Sequence, residues 1–506
     1  MAKPLETISI SAPGFYGLNT QASSVGLDQG YALEATNCVI DSFGRLGARK
    51  GYYYQTEDNE GIELKGIHDF IDVTGLHTHG AWTDTGFYVV DGVDLTPVTY
   101  SGDNTLNGVN WQAATLNDAA FLFDSNYKPI YFNPATATLS DIEDAGHGTP
   151  PNGNCVLSAY GRLWIAGVNS AKSTVYWSNL VNGADFNSGD SGSLDLTAVL
   201  VQGNDEIIAL GAHAGRLIIF LKDSIVIYGD NSSTSLDPTT MSLVEVIKGT
   251  GCIARDSVQN TGTDIMFLSD RGLMSLGRLI QEKSQPERDL SRNIRDEFVR
   301  AISQEDPTQI RSVYNSVEGF YLLYLPSFQM AYCFDMKQVL QDGSARVTEW
   351  NNQTYNNIHM VDGVMHFAAA DGVAVYGGYQ DNGNSYRLKY YTNHFDFGDA
   401  TRQKYLKRVA VTVIGGVNQP IYFKAGFDYS NSYRNFTTTL DGGLAAQYNI
   451  SEYNESEYTS GVLASNIRTP LGGQGSVVQA GFEAVIDGAP FSIQRLDIYV
   501  KGGRVY

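Results

Sequence analysis

Gly215-Arg216-Leu217-Ile218-Ile219-Phe220-Leu221-Lys222-Asp223-Ser224-Ile225-Val226-Ile227-Tyr228 is an apolar strand that enters a polar turn and leaves it as a second apolar strand. Apolar side chains fill consecutive positions on both sides of the turn, so both faces of this hairpin are built for burial. The phrase recurs at Gly161–Ala166 with Thr174–Trp177, at Asp264–Leu276, at Gly319–Tyr324 with Met330–Phe334, and at Gly363–Phe367 with Val373–Tyr376. Weaker copies precede these at Gly80–Trp82 with Phe87–Val90 and at Ala119–Phe123 with Pro129–Phe132. From Arg162 onward the copies start about 44 to 56 residues apart. That period suits a four-stranded propeller blade, whose faces only its neighbours can cover. The expected fold is all-β, centred on a β-propeller of five to seven blades.

The totals agree with a large folded chain. At 506 residues, two or three domains are expected. The 53 glycines and 31 tyrosines fit turns and pleated surfaces. A net charge of −21 argues against binding nucleic acid by counterion release, which needs a basic face. Cys38, Cys155, Cys252 and Cys333 are widely spaced among small or apolar neighbours and read as reduced, partly buried small hydrophobes. No signal-peptide core or membrane-length apolar run is legible.

Residues 1–65 read as an N-terminal arm and the first strands of a platform, and residues 66–400 as the propeller. Residues 401–506 read as a β-sandwich-like domain with a polar loop near 429–460. One helix is expected within the propeller, near 286–303. Ser284 and Glu287 have capping-box spacing, Pro286 suits a first turn, and Leu290, Ile294, Phe298 and Ile302 form an apolar stripe. Its Arg288, Arg292, Arg295 and Arg300 make it a candidate contact element, alongside the plainer reading of a helix docked on its own scaffold.

Signals for chemistry are sparse. Ser269-Asp270-Arg271-Gly272 has part of the Asp-box turn and reads as a hairpin turn. His77 and His79 lie two apart, facing one way on a strand, near His68, Asp69 and Asp72. They read as strand and turn residues, with a surface metal site as the other reading. Asp185, Asp190 and Asp195 lie in a Gly/Ser-rich run without EF-hand spacing and read as a solvated loop rather than a calcium site. No G-x-S-x-G, P-loop, H-E-x-x-H or dinucleotide-binding glycine motif is present, so no catalytic residue, metal ligand or cofactor site is assigned.

The order of parts carries a resemblance. Ala32-Leu33-Glu34-Ala35-Thr36-Asn37 is followed by Gly44-Arg45-Leu46 and a basic stretch, with Lys50-Gly51 standing where Pro-Gly is usual. Then come Arg162-Leu163-Trp164 with Val175-Tyr176-Trp177-Ser178, and Lys248–Cys252 ahead of Asp264–Leu276. Ile294 and Phe298 follow, and Lys404–Val409 opens the last segment. In this order the elements resemble the nozzle, or packaged-DNA stabilisation, proteins of short-tailed bacteriophages. The resemblance implies a non-enzymatic virion protein, assembled in the host cytoplasm. It implies six copies in a ring below the portal and adaptor, meeting fibre, spike or needle proteins and surrounding the DNA exit channel. A glycan-binding or glycan-hydrolysing tail protein built on a propeller is the alternative.

Overall fold

The computed structural model describes residues 5–505 other than 57–60, 103–109, 143–149, 201–202, 231–235, 282–288, 417–418, 431 and 441–463. All seven hairpins read from the sequence are present as antiparallel strand pairs, and in every blade but the fifth, where the second strand of the pair is an edge, they lie inside the sheet. The first strands of the sheets are Gly66–Ile71, Gln112–Leu116, Cys155–Ala159, Ile207–His213, Gln259–Asn260, Arg311–Asn315 and Tyr355–Val361. Each contacts the next, and the last contacts the first, which closes a propeller. Numbered in that order, and among the described residues, six blades have at least four strands, while blade 5 has three. Where its fourth strand would run, the chain turns into helix α1, Leu276–Gln281.

Burial on both faces explains the apolar runs. In Arg216–Leu221, Leu217, Ile219 and Leu221 join the core shared with blade 3. Ile218 and Phe220 point the other way and join the core shared with blade 5. The same alternation divides Phe320–Leu325 between two cores. A strand of period two with both faces covered has no polar face to show.

The ring closes through a distant segment. Tyr52–Tyr54 pairs antiparallel with Gly372–Tyr376 and becomes the outer strand of blade 7. Gly51 leads into it against the backbone of Gln380, where a Cβ would lie only 1.8 Å from the carbonyl oxygen, so only glycine fits.

Blade 6 does not end at its fourth strand. Arg346–Trp350 continues through Gly17–Leu18 and Tyr31–Thr36 to Tyr386–Thr392, Val478–Ile486, Pro420–Phe427 and Arg434–Thr439, giving one ten-stranded sheet. A second sheet, with Arg402–Gly415 and Phe491–Val505 at its centre, takes in Glu6–Ser11, Cys38–Ile40 and Leu46–Ala48. Val409, Val411, Ile498 and Val500 of that sheet share one core with Phe423, Ala480 and Phe482 of the first. The polar segment near 429–460 thus contains a strand, Arg434–Thr439, and its residues 441–460 lie outside the described residues.

Arg49 fastens the joint between propeller and sandwich. It is buried, pairs with Asp381 through both terminal nitrogens at 2.8 and 2.6 Å, donates from Nε to Asn37 Oδ1 at 3.0 Å, and lies over the Tyr386 ring. Asn37, in a left-handed conformation, also accepts from Asn351 N at 3.1 Å and donates to Arg387 O at 2.9 Å.

The expected single helix needs correction. Helix α2 spans Arg295–Gln304 after a 3-10 turn at Arg292–Ile294, rather than 286–303, and α1 is a second helix. Leu290 cannot be helical, because its N–H donates to Leu273 O at 2.8 Å and its carbonyl accepts from Ala345 N at 2.9 Å. The stripe itself is real: Leu290, Ile294, Phe298 and Ile302 are all buried in the large core. Ser284, Pro286, Glu287 and Arg288 lie outside the described residues.

Gly51→Ala is expected to lower the unfolding free energy by about 1–3 kcal/mol, because the closing strand must shift to admit the methyl group. Gly472→Ala, with no atom within 4 Å of its added Cβ, is expected to leave the urea midpoint unchanged. Equal effects of the two substitutions would overturn this account of closure.

Candidate functional site at the propeller axis

The segments that lead into the first strands converge at the axis, where their polar residues must satisfy one another. Arg255 and Asp256 lie in a 3-10 turn before blade 5, Arg311 starts blade 6, and Asn110 and Asn154 precede the first strands of blades 2 and 3. Arg255 grips Asp256 from Nε and Nη2, both at 2.8 Å. It also donates to Asn110 O and Oδ1 at 3.0 and 2.9 Å, and to Asn154 O and Oδ1 at 2.7 and 3.0 Å. Arg311 reaches Asp256 Oδ2 at 3.1 Å and Asn110 Oδ1 at 3.2 Å. One carboxylate and two guanidinium groups thus tie four blades together. Burial pushes the Asp256 carboxyl up, but Arg255 and Arg311 outweigh it and hold the carboxyl below its usual range.

Arg255 and Asp256 line two cavities. One, of about 250 Å3, lies among the first strands and is also lined by His68, Gln259, Arg311 and His359. The other, of about 510 Å3, is bordered by α2 through Val299, Ile302 and Ser303, with Lys222, Asp270 and Glu305. Asp256 is committed to two ion pairs, which suits it to hold strands in place and unsuits it for proton transfer.

Helix α2 packs over this second cavity. Phe298 meets Tyr332 and Phe334 edge-on with ring centroids 4.9 and 5.5 Å away. Arg292 and Arg300 are exposed, and Arg295 pairs with buried Asp289. Beneath α2, burial first, and then Glu297 and Glu34, push the Glu349 carboxyl up to about 7.

The remaining candidates separate. Asp185 caps its own turn, accepting from Asn187 N at 3.1 Å and Ser188 N at 3.0 Å, and Asp195 caps the 3-10 turn Leu196–Ala198. Asp190 lies 3.6 Å from Arg162, so these three acids serve separate local contacts. Ser269–Gly272 is the hairpin turn of blade 5. The four cysteines are buried and unpaired. Among the described residues, no helix is long and apolar enough to cross a membrane.

The histidines behave otherwise. Asp69, His77 and His79 come together with ligand atoms within 4.8 Å of one another, while Asp72 caps the turn between their strands through Thr74 N and Leu76 N. His359 and His366 join them across the seam from blade 7: the His68 and His359 rings are 4.5 Å apart, and the His79 and His366 rings 6.0 Å. Burial lowers the pKa of His68, His366 and His359, the last to about 4. The i, i+2 spacing of His77 and His79 foretold their shared face. Nothing local marks His359, His366 or the axial Arg255–Asp256–Arg311 network, which only ring closure assembles.

No protein-family model matches the chain, and no curated protein matches it. Among solved structures, BamB from Moraxella catarrhalis is similar at 12% identity, covering 74% of this chain and 97% of that one, with a TM-score of 0.38. A likeness at that score carries no argument about what the chain does. The propeller assignment rests on the strand pairing itself.

Arg255→Met is expected to cost about 2–4 kcal/mol, because it removes the main partner of the half-buried Asp256 carboxylate and the donors to Asn110 and Asn154, whereas Arg292→Met at an exposed site should stay within about 0.5 kcal/mol. Equal unfolding midpoints for the two variants would refute the axial role. Glu349 makes a pH prediction. Its folded pKa of about 7 exceeds the ordinary 4.5, so the native state holds a proton that the unfolded state releases, and stability falls as pH rises from 4.5 through 7. Glu349→Gln should therefore be more stable than the parent at pH 8 by about 1–3 kcal/mol, and level with it near pH 4. A difference independent of pH would show that the carboxyl titrates normally.

Proposed function

We propose that the chain is a structural subunit of a short-tailed phage's tail nozzle. Six copies would form a ring below the portal and adaptor and surround the DNA exit channel, retaining packaged DNA and guiding its ejection. The observation that carries this reading is where the resembling residues lie. Tyr31–Thr36 inserts between blade 6 and the sandwich, Asn37 and Arg49 bond across the same joint, and Gly51 opens the strand that closes the ring. The sequence pattern shared with nozzle proteins is therefore a pattern of joints, as suits a protein that works by holding its shape.

The axis supports the same reading. Its Arg255–Asp256–Arg311 network fastens blades together instead of presenting a pair of carboxylates for hydrolysis. The DNA path in this proposal runs between copies and not through one propeller. Six copies at −21 each carry −126, a charge that repels phosphate and disfavours adhesion of DNA to the wall. Exposed Arg292 and Arg300 on α2 are candidate contacts with a neighbouring copy or tail protein.

Native mass spectrometry of the full chain, alone and with its phage's portal and adaptor proteins, tests the proposal. A ring of six, about 331 kDa for six chains of 55.2 kDa, is expected either alone or on the adaptor. A 55.2 kDa monomer that persists beside those partners would overturn it.

A further inference from the structure

The seam between blades 7 and 1 is built differently from the others. Its apolar core is the smallest of the seven clusters, formed by Leu64, Ile67, Ala81, Val90, Ala368 and Val373. Five of the chain's eight histidines lie beside it: His77, His79, His359 and His366 near one carboxylate, and His68 against the His359 ring.

Asp69 is that carboxylate. It lies on the first strand of blade 1 directly opposite His79 on the second, so the two side chains leave the same face of the hairpin. His77, two residues before His79, shares that face. Asp69 is 9% exposed. Its Oδ2 lies 2.7 Å from His77 Nδ1, while Oδ1 has no hydrogen-bond partner among the described residues and stands 3.8 Å from His79 Nε2. A buried carboxylate oxygen without a donor is rare in folded proteins and calls for an occupant.

We propose that Asp69, His77 and His79 bind one first-row divalent cation of the Zn2+ class. Two imidazoles and a carboxylate are the donor set that such ions prefer over Mg2+ or Ca2+. The three ligand atoms lie within 4.8 Å of one another, a spacing that an ion with bonds of about 2.0–2.2 Å gathers by side-chain rotation. Binding exchanges the Asp69–His77 hydrogen bond for two metal bonds and occupies Asp69 Oδ1. The ion then sits against blade 7, where the His366 ring, 6.0 Å from that of His79, is placed to join it. His366 Nδ1 is 3.2 Å from Val364 O, a bond that leaves its Nε2 for the metal. The site is a clasp on the seam where the ring closes. It does not depend on the nozzle reading.

The test is calorimetric titration of Zn2+ into the full chain after chelator treatment, with thermal unfolding read in parallel. The expected result is one saturable ion per chain and a Tm that rises with free Zn2+. Affinity should fall by about tenfold or more in both Asp69→Asn and His79→Ala. Exposed His77 provides a variant that spares the core, and His77→Ala should weaken binding likewise. His213→Ala, distant in sequence on blade 4, should bind as the parent does. Absence of saturable binding by the folded parent, or the parent's affinity in all three site variants, would overturn the proposal.

Discussion

Every central strand of the ring must be covered on both faces, and the rest of the architecture follows from that demand. A blade cannot cover itself, so the seams between neighbours become apolar cores, as between Phe220 and Phe267 or between Phe70 and Phe132. Hydrophobic burial is close to proportional to area and has no direction of its own. Direction comes instead from the hydrogen-bonded ladders and from the axial ion network. Arg255 supplies what apolar packing cannot, a fixed angular relation among blades 2, 3 and 5, with Arg311 adding blade 6 through the shared Asp256.

Blade 5 shows the same demand met by other means. Its first strand is only two residues long, Gln259–Asn260. Neighbouring groups replace the missing ladder: Gln259 Nε2 donates to Ser312 O at 3.1 Å, the Tyr321 hydroxyl donates to Ser257 O at 2.7 Å, and Ser312 Oγ donates to Asp256 O at 2.7 Å. On its outer side, Leu276 of α1 enters the core shared with blade 4. A short blade is thus held by side chains where a full one is held by backbone.

What the sequence made legible was local. Each hairpin announces itself within about fifteen residues, because two-face burial writes an unbroken apolar run on either side of a turn. The stripe Leu290, Ile294, Phe298 and Ile302 correctly marked buried positions. Its helical reading failed at Leu290, where a spacing of four was met instead by a turn residue hydrogen-bonded to Leu273 and Ala345. What could not be read was pairing between distant segments. Tyr31–Thr36 carries no sign that it will lie between Arg346–Trp350 and Tyr386–Thr392, and Arg49 none that it will meet Asp381. The histidine cluster was half legible for the same reason: His77 and His79 declare a common face, while His359 and His366 arrive only when blade 7 closes on blade 1.

The early residues have a history that the finished fold conceals. Glu6–Ser11 finds its partners among residues 495–500, Gly17–Leu18 pairs with Val347 as well as with nearby Tyr31 and Ala32, and Tyr52–Tyr54 waits for residues 374–376. As the chain leaves the ribosome, these segments stay open-edged while most of the protein is made. Such long-range pairing slows folding and leaves strand edges free to bind other chains. The arrangement makes completion all-or-none: neither the ring nor the sandwich can finish until late residues reach back to early ones. A truncated product therefore advertises itself by its unpaired strands.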